Sequence, residues 1–240
     1  MTLEGQVALI TGASSGIGLE LAKLAAQDGA ALLLVADRDL GDAKRVVQQC
    51  GASEVETLEV DLATVDGIDR VIDKIGSRSV DGLMANAGHG LGEAFLTQKW
   101  DEIAHVIDTN ITGTVALIHR IGGGMVLRDK GRILVTGSIA GDMPGAYQLV
   151  YNSTKAFIND FCVGLANELK STSVVVTCLM PGVTDTQFFE RAGMEDKWIS
   201  GKHMVAVFRS EDRGMTWEGP HHLSDWTSEG GIARMASGRL

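Results

Sequence analysis

A tyrosine and a lysine one helical turn apart suggest acid–base chemistry. Tyr151 and Lys155 stand four residues apart, so on a helix their side chains share one face. A free phenol titrates near pH ~10, which is too high for proton transfer at neutral pH. A unit charge ~4 Å away contributes about 4 kcal/mol at an effective dielectric constant near ~20, or about three pKa units. The pair therefore predicts a tyrosine acid/base that works near neutrality, with Ser138 as a hydrogen-bond donor to a carbonyl oxygen.

A glycine-rich turn at 11–18, with the sequence TGASSGIG, stands between a predicted strand and a predicted helix. Glycines let backbone amides approach a pyrophosphate, and the N-terminus of a helix favours its charge; the alternative is a tight turn that binds nothing. Asp37 ends the second predicted strand, where a carboxylate can accept hydrogen bonds from ribose hydroxyls and repels a 2′-phosphate. Asp37 therefore favours NAD, while Arg38 could attract that phosphate and keeps NADP open.

Apolar runs typical of buried strands alternate with helical patterns. The runs lie at 7–10, 32–36, 55–60, 82–85, 133–136 and 174–179. Helical patterns lie at 16–27, 43–49, 65–75, 98–127 and 150–170, the fourth interrupted by Gly113 and by the glycines at 122–124. Continuous apolar strands separated by helices indicate a parallel sheet covered on both faces, so the pattern predicts a doubly wound α/β fold.

Composition and charge exclude several classes of partner. The chain has 240 residues and a formal net charge of −10, which argues against nucleic acid or an anionic membrane surface. Its longest apolar run, 30–36, is far too short to span a bilayer, and no charged lead with an apolar signal region opens the chain. Three cysteines without a CxxC pattern, and the pair His221 and His222 without companion ligands, predict neither a disulfide framework nor a metal site. A reducing cytoplasm fits this usage.

Taken together, the motifs resemble the short-chain dehydrogenase/reductase family over roughly residues 5 to 190. The residues that carry the resemblance are the turn at 11–18, Asp61, Asn86-Ala87-Gly88, Asn110, Ser138, Tyr151 with Lys155, and Pro181-Gly182. The resemblance implies a Rossmann-type sheet with strand order 3-2-1-4-5-6-7, in which the seventh strand, at 203–208, is the open point. It also implies a homodimer or homotetramer, because in this family long helices like those predicted here make subunit contacts.

The resemblance assigns roles residue by residue. Tyr151 is expected to be the acid/base, Lys155 to lower its pKa and hold the nicotinamide ribose, Ser138 to polarise the substrate oxygen, and Asn110 to support a water-mediated proton path. The expected cofactor contacts are Gly12, Ser14, Ser15, Gly16, Ile17, Gly18, Asp37, Arg38, Asp61, Leu62, Asn86, Ala87, Gly88, Tyr151, Lys155, Pro181, Gly182, Val183 and Thr184.

These roles predict an oxidoreductase that transfers hydride between a nicotinamide cofactor and a secondary alcohol or its ketone. The expected substrate contacts are Ser138, Ile139, Met143, Tyr147 and Tyr151. This wall is mostly apolar and has no cationic clamp, which favours an uncharged substrate, and His89 beside it is interpreted as an ordinary loop histidine. The alternative is a non-catalytic nucleotide-binding sensor with the same fold, although a sensor needs no acid/base.

The C-terminal segment departs from the family pattern after about Arg191. We therefore divide the chain into a dinucleotide-binding and catalytic domain at 1–190 and an atypical segment at 191–240, which is a divergent terminus, a disordered tail or a replaced ending. Residues 210–217, with the sequence SEDRGMTW, resemble the Asp-box hairpin of sialidase-type propellers. One copy cannot form a propeller, so coincidence or a hairpin-shaped tail is favoured over a carbohydrate-binding or glycosidase function.

Overall fold

A computed structural model describes residues 3–143, 145–182, 206–209 and 218–222. Six strands form a parallel sheet in the order β3-β2-β1-β4-β5-β6. The strands are β1 (Val7–Thr11), β2 (Ala31–Ala36), β3 (Glu54–Glu59), β4 (Gly82–Ala85), β5 (Gly131–Thr136) and β6 (Val174–Leu179). The helices are α1 (Gly16–Gln27), α2 (Gly41–Gln49), α3 (Val65–Ile75), α4 (Trp100–Ile107), α5 (Thr114–Leu127) and α6 (Leu149–Glu168). The predicted doubly wound sheet and its first six positions are confirmed.

The core lies on both faces of this sheet, which explains why its strands are continuous apolar runs. Along β1, Leu9 packs into one cluster with side chains of α3, α5 and α6, whereas Ala8 and Ile10 pack into a second cluster with α1 and α2. Successive residues of a strand point to opposite faces, so β1 contributes to both clusters. The central strands therefore have little freedom to shift in register, and their carboxyl ends are held in fixed positions.

The long helical pattern at 98–127 forms two helices joined by a π-helical segment, Asp108–Gly113. The predicted interruption at Gly113 coincides with the end of this segment, whereas the glycines at 122–124 lie inside α5 and do not end it. Short π-helical segments inside helices occur frequently at functional sites. Among the described residues, no helix has both the length and the apolar character that a membrane span requires.

The predicted seventh strand does not join the sheet in the described part of the chain. A strand does form there, β7 (Ala206–Arg209), but it pairs antiparallel with β8 (Glu218–His222) in a separate two-stranded sheet. A nearby antiparallel partner needs only a short loop, whereas a parallel partner needs a long crossover, which explains this pairing. The pairing fits the predicted hairpin-shaped tail; the Asp-box residues 210–217 themselves lie outside the described residues, and the domain boundary near 190 stays a prediction.

Candidate active site

A cavity of about 860 Å³ opens at the carboxyl ends of the central strands. It lies where the strand order reverses, between β1 and β4, which is where open α/β sheets bind their ligands. The predicted site residues in its wall are Gly12, Ser14, Ser15, Gly16, Ile17, Asp37, Arg38, Asp61, Leu62, Asn86, Ala87, Gly88, Ser138, Ile139, Met143, Tyr151, Lys155, Pro181 and Gly182. The sheet thus brings together residues that are up to 170 positions apart in the sequence.

Three predicted site residues, Gly18, Asn110 and Tyr147, do not line the cavity. Gly18 and Asn110 lie behind the lining residues and fix their positions, Gly18 through its close packing against Gly12 and Asn110 through its hydrogen bonds to His89. Tyr147 has φ +65° and an exposed side chain, and its neighbours Ala146 and Gln148 line the cavity in its place. Val183 and Thr184 lie outside the described residues. A substrate contact by Tyr147 therefore stays a prediction that the geometry does not favour.

The glycine turn forms one end of the cavity and leads directly into α1. Gly12 has φ +64°, a left-handed conformation that glycine adopts without strain. A Cβ at Gly18 would clash with the carbonyl oxygen of Gly12, so only glycine allows α1 to pack this closely against the turn. The N-terminus of α1 is thereby directed at the cavity, where its amides favour an anionic group.

Asn86 joins the ends of three neighbouring strands below the cavity. Its Nδ2 donates to the carbonyl oxygen of Thr11 at 3.2 Å, and its Oδ1 accepts from Thr136 Oγ1 at 2.9 Å. The hydroxyl of Thr11 in turn accepts from the backbone amides of Asn86 and Ala87 at 3.0 and 2.9 Å. These bonds fix the loop after β4 against β1 and β5, so the floor of the cavity is rigid.

Asp37 and Arg38 form a two-point ion pair at the end of β2. Arg38 donates from Nε and from its second terminal nitrogen to the two carboxylate oxygens, both at 2.8 Å. The hydrogen bond with Asp37 raises the pKa of Arg38, so the guanidinium keeps its charge. The carboxylate that could repel a 2′-phosphate is therefore partly compensated by its own neighbour.

A chain of two histidines starts at Asp61. His105 of α4 lies with Nε2 3.2 Å from Asp61 Oδ2 and with Nδ1 2.8 Å from Nε2 of His89. Burial, with a smaller contribution from His105, lowers the pKa of His89. His89 is therefore more than an ordinary loop histidine, because it takes part in the polar wall. The sequence analysis missed His105, since nothing in its spacing on α4 marks it as a neighbour of Asp61.

Asn110 ties the loop after β4 to α6 from the middle of the π-helical segment. Its Nδ2 donates to the carbonyl oxygen of His89 at 3.0 Å and to Thr154 Oγ1 at 2.9 Å, and its Oδ1 accepts from the His89 amide at 3.0 Å. The side chain is almost fully buried, and it holds the loop beside Lys155. The side-chain amide of Asn110 is thus engaged by protein groups, and a proton path at this residue stays a prediction.

Tyr151 and Lys155 both lie buried on the face of α6 that borders the cavity. The Lys155 ammonium donates to the carbonyl oxygen of Thr136 at 2.7 Å and lies 5.8 Å from the centroid of the Tyr151 ring. Burial lowers the pKa of Lys155 to about 8. Burial also raises the pKa of Tyr151, and a hydrogen bond with Ser138 opposes that rise.

These positions give no support to one sequence-based expectation, which stays a prediction. A lysine that lowers the phenol pKa by about three units would have to stand ~4 Å from the phenolic oxygen. In the structure the ammonium is directed at Thr136, and the Tyr151 pKa is raised rather than lowered. The sequence analysis could not foresee this, because the carbonyl of a strand-end residue carries no signal in the side-chain pattern.

Ser138 follows β5 and faces the same part of the cavity. Its Oγ accepts from the amide of Ala140 at 3.1 Å and lies 3.5 Å from the carbonyl oxygen of Pro181. The single hydroxyl proton has two acceptors within reach, the Pro181 carbonyl oxygen and Tyr151, whose pKa burial raises and the hydrogen bond with Ser138 lowers. Ser138, Tyr151 and Lys155 thus line one polar corner of the cavity.

Comparisons with known proteins agree with this arrangement. The family model described as short chain dehydrogenase matches residues 6–197. A 3-oxoacyl-(acyl-carrier-protein) reductase of Vibrio harveyi is 32% identical over 195 residues, which are 78% of this chain and 76% of that protein. A short-chain dehydrogenase from Sphingobium yanoikuyae in complex with NADPH superposes with a TM-score of 0.76 at 31% identity, covering 82% of this chain and 78% of the other.

A third similar protein, L-sorbose reductase from Gluconobacter frateurii complexed with NADPH and L-sorbose, has a TM-score of 0.70 at 33% identity. The alignment covers 76% of this chain and 71% of that one. All three alignments leave part of the chain unmatched, and the family match ends close to the point where the sequence departs from the pattern.

Proposed function

The chain belongs to the short-chain dehydrogenase/reductase family, and from this premise we propose that it transfers hydride between a nicotinamide dinucleotide and an uncharged ketone or secondary alcohol. The observation that carries the proposal is the corner formed by Ser138, Tyr151 and Lys155, which shares one cavity with the glycine turn and Asp37. An acid/base and a dinucleotide-binding turn in one cavity are what such a transfer requires.

The residues present fit a dinucleotide. The cavity volume of about 860 Å³ lies within the ~300–1,000 Å³ common for ligand sites. The N-terminus of α1 suits a pyrophosphate, and the carboxylate of Asp37 suits ribose hydroxyls. At the opposite end, two of the three donors of the Lys155 ammonium remain for a second ribose, since Thr136 accepts one.

When bound, the nicotinamide supplies or accepts the hydride. In ketone reduction, Ser138 donates a hydrogen bond to the carbonyl oxygen, and Tyr151 gives that oxygen its proton as the hydride reaches the carbon. A raised pKa keeps the phenol of Tyr151 protonated at neutral pH, so the resting side chain is ready as an acid. Oxidation of an alcohol needs the phenolate, which favours higher pH.

The proposal is tested by NADH and NADPH consumption over a panel of uncharged ketones, with Tyr151→Phe as the key variant. Reduction that disappears in the variant, with the Kd for the dinucleotide unchanged within about two-fold, supports the assigned acid. Dinucleotide binding without consumption of any ketone would favour a non-catalytic sensor instead.

The choice between the two dinucleotides depends on Asp37 and Arg38. Asp37 favours NAD, as the sequence suggests, but its ion pair with Arg38 offsets the repulsion of a 2′-phosphate. Two similar structures are complexes with NADPH. We propose that the pair accommodates both dinucleotides, with Arg38 turning from the carboxylate to the phosphate when NADPH binds.

The substrate end of the cavity favours an uncharged molecule. Around Tyr151, the wall consists of Ile139, Ala140 and Met143, with the buried amides of Gln148 and Asn152. Among the described lining residues, the lysines and arginines are Arg38 and Lys155, and Arg38 lies at the dinucleotide end. Lys155 lies at the substrate end, where we propose that its ammonium holds a ribose, so a carboxylate or phosphate on the substrate would find no further lysine or arginine at this end of the described wall.

Assembly and cell compartment remain family-based proposals. Phe157 and Val163 on α6 and Leu127 at the end of α5 are exposed apolar side chains, which fit a homodimer or homotetramer built on these helices. Size-exclusion chromatography with light scattering tests this directly, and a monomer at micromolar concentration would contradict it. A cytoplasmic location is proposed from the cysteine usage.

A further inference from the structure

Asn159 extends the catalytic face of α6 by one turn. It follows Lys155 by four residues and Tyr151 by eight, so the three side chains lie on one side of the helix. Asn159 is 8% exposed and does not line the cavity. A buried amide in this position must find partners within the protein, and its partners show what it does.

The amide of Asn159 binds both backbone polar groups of Ser138. Its Nδ2 donates to the Ser138 carbonyl oxygen at 2.9 Å, and its Oδ1 accepts from the Ser138 amide at 3.3 Å. The side chain also meets Cys178, whose Sγ donates to Oδ1 at 3.7 Å, and Asp142, whose Oδ1 accepts from Nδ2 at 3.4 Å. The two bonds to one residue fix the position and the tilt of its backbone.

The segment around Ser138 is shaped to receive this amide. A Cβ on Gly137 would clash with Asn159 Oδ1 and would lie 2.8 Å from Cys178 Sγ, so glycine is required for the close approach. Beyond Ser138, the amide of Ile139 donates to the carbonyl oxygen of Pro181 at 3.2 Å. With its backbone held from both sides and its Oγ accepting from Ala140, Ser138 keeps its hydroxyl in one place.

We propose that Asn159 is a positioning residue that holds Ser138 in reach of the substrate oxygen, a role that rests on the proposed function. Ser138 stands two residues beyond the end of β5, where no strand pairing fixes the chain. The side-chain amide of Asn159 supplies there the two hydrogen bonds that a neighbouring strand would otherwise provide. Asn159 touches neither the substrate oxygen nor the dinucleotide in this scheme, and it acts only through Ser138.

A double-mutant cycle tests this role. We expect Asn159→Ala to lower kcat for ketone reduction about 10- to 100-fold, because small misplacements of a catalytic group have losses of this size. The Kd for the dinucleotide should stay within about two-fold, and in a Ser138→Ala background the same substitution should cost less than about two-fold more. Asn167→Ala, at an exposed asparagine on the same helix, is the matched control and should leave kcat nearly unchanged.

Each other outcome overturns the proposal in a recognisable way. Equal fold losses in the wild-type and Ser138→Ala backgrounds, or a fall in dinucleotide affinity as large as the fall in kcat, would make Asn159 a structural residue. If Asn159→Ala does not fold, Asn159→Leu, which keeps the volume, takes its place, and failure of both variants to fold has the same meaning. A wild-type protein that reduces no ketone overturns the proposed function and this role together, whereas an active wild type with additive losses overturns only the role of Asn159.

Discussion

Replacing Lys155 by methionine should change how the stability of the protein depends on pH. Lys155 is 5% exposed, and burial lowers its pKa from the usual 10.5 to about 8. The folded protein therefore binds fewer protons than the unfolded chain between these two values, and its stability rises with pH in that window. Because methionine has a similar length and no titratable group, Lys155→Met removes this dependence while keeping most of the packing.

The size of the effect follows from the two pKa values. One pKa unit corresponds to about 1.36 kcal/mol, so the buried ammonium destabilises the fold by about 3.3 kcal/mol at pH 7. At pH 10 the amine is neutral in the folded state, and about 0.8 kcal/mol of this penalty remains. The wild type should therefore gain about 2.5 kcal/mol relative to Lys155→Met between pH 7 and pH 10. Loss of the hydrogen bond to Thr136 costs the variant about 1–3 kcal/mol, and this cost does not vary with pH.

The assay is urea unfolding without added dinucleotide at pH 7, 8, 9 and 10, followed by circular dichroism and fluorescence to check two-state behaviour. Lys170→Met, at an exposed lysine just after α6, controls for the loss of one charge. As the pH rises, the free energy of unfolding of the wild type should increase relative to that of Lys155→Met, so the two curves of stability against pH should converge or cross. Curves that stay parallel within about 0.5 kcal/mol would refute the inferred burial cost of the ammonium.

Three further predictions concern the cavity. Tyr151→Phe should lower kcat by about 10²- to 10⁴-fold, the usual contribution of a general acid, with dinucleotide affinity measured by fluorescence titration unchanged. Arg38→Ala should weaken NADPH about ten-fold and NADH by less than about two-fold, and equal losses in the two titrations would contradict contact with the 2′-phosphate. Gly18→Ala should lower the free energy of unfolding by about 1–3 kcal/mol and weaken both dinucleotides, since its Cβ would clash with Gly12; a fully stable variant would mean that the turn can relax.

The sheet could be predicted from the sequence because its strands are buried on both faces. Each of the six apolar runs corresponds to a strand, with ends that shift by no more than two residues, as in 133–136 against Gly131–Thr136. Strands of this kind are read from hydrophobicity alone, and the order of the strands came from the family resemblance. The strand near 203–208 was predicted, but its place in the parallel sheet was wrong, because an apolar run does not reveal its pairing partner and β7 pairs with the nearby segment β8.

The residues of the cavity wall could be named from the sequence, but their hydrogen bonds could not. Lys155 was predicted to hold the nicotinamide ribose and Asn110 to support a proton path, yet Lys155 donates to the backbone of Thr136, and Asn110 binds the backbone of His89. Backbone carbonyls are the same in every residue, so no pattern of side chains marks which of them will accept a bond. His105 was missed for a related reason, because its contacts with Asp61 and His89 depend on how α4 packs.

The partners of these polar side chains determine how rigid the active corner is. Lys155, Asn110 and Asn159 each bind the backbone of a neighbouring segment, and these backbone groups lie at the end of β5 or in the loops that follow β4 and β5. Because the core on both faces of the sheet fixes these strand ends, they do not shift when a substrate or a dinucleotide binds. The corner therefore has its final geometry before either molecule binds. Such preorganisation has a cost in stability, because it keeps an ammonium buried at neutral pH. Replacing Lys155 by methionine at such a site should therefore raise stability at pH 7 and lower activity. A Lys155→Met variant that is less stable and less active than the wild type at every pH would show that the buried lysine serves the fold rather than the reaction.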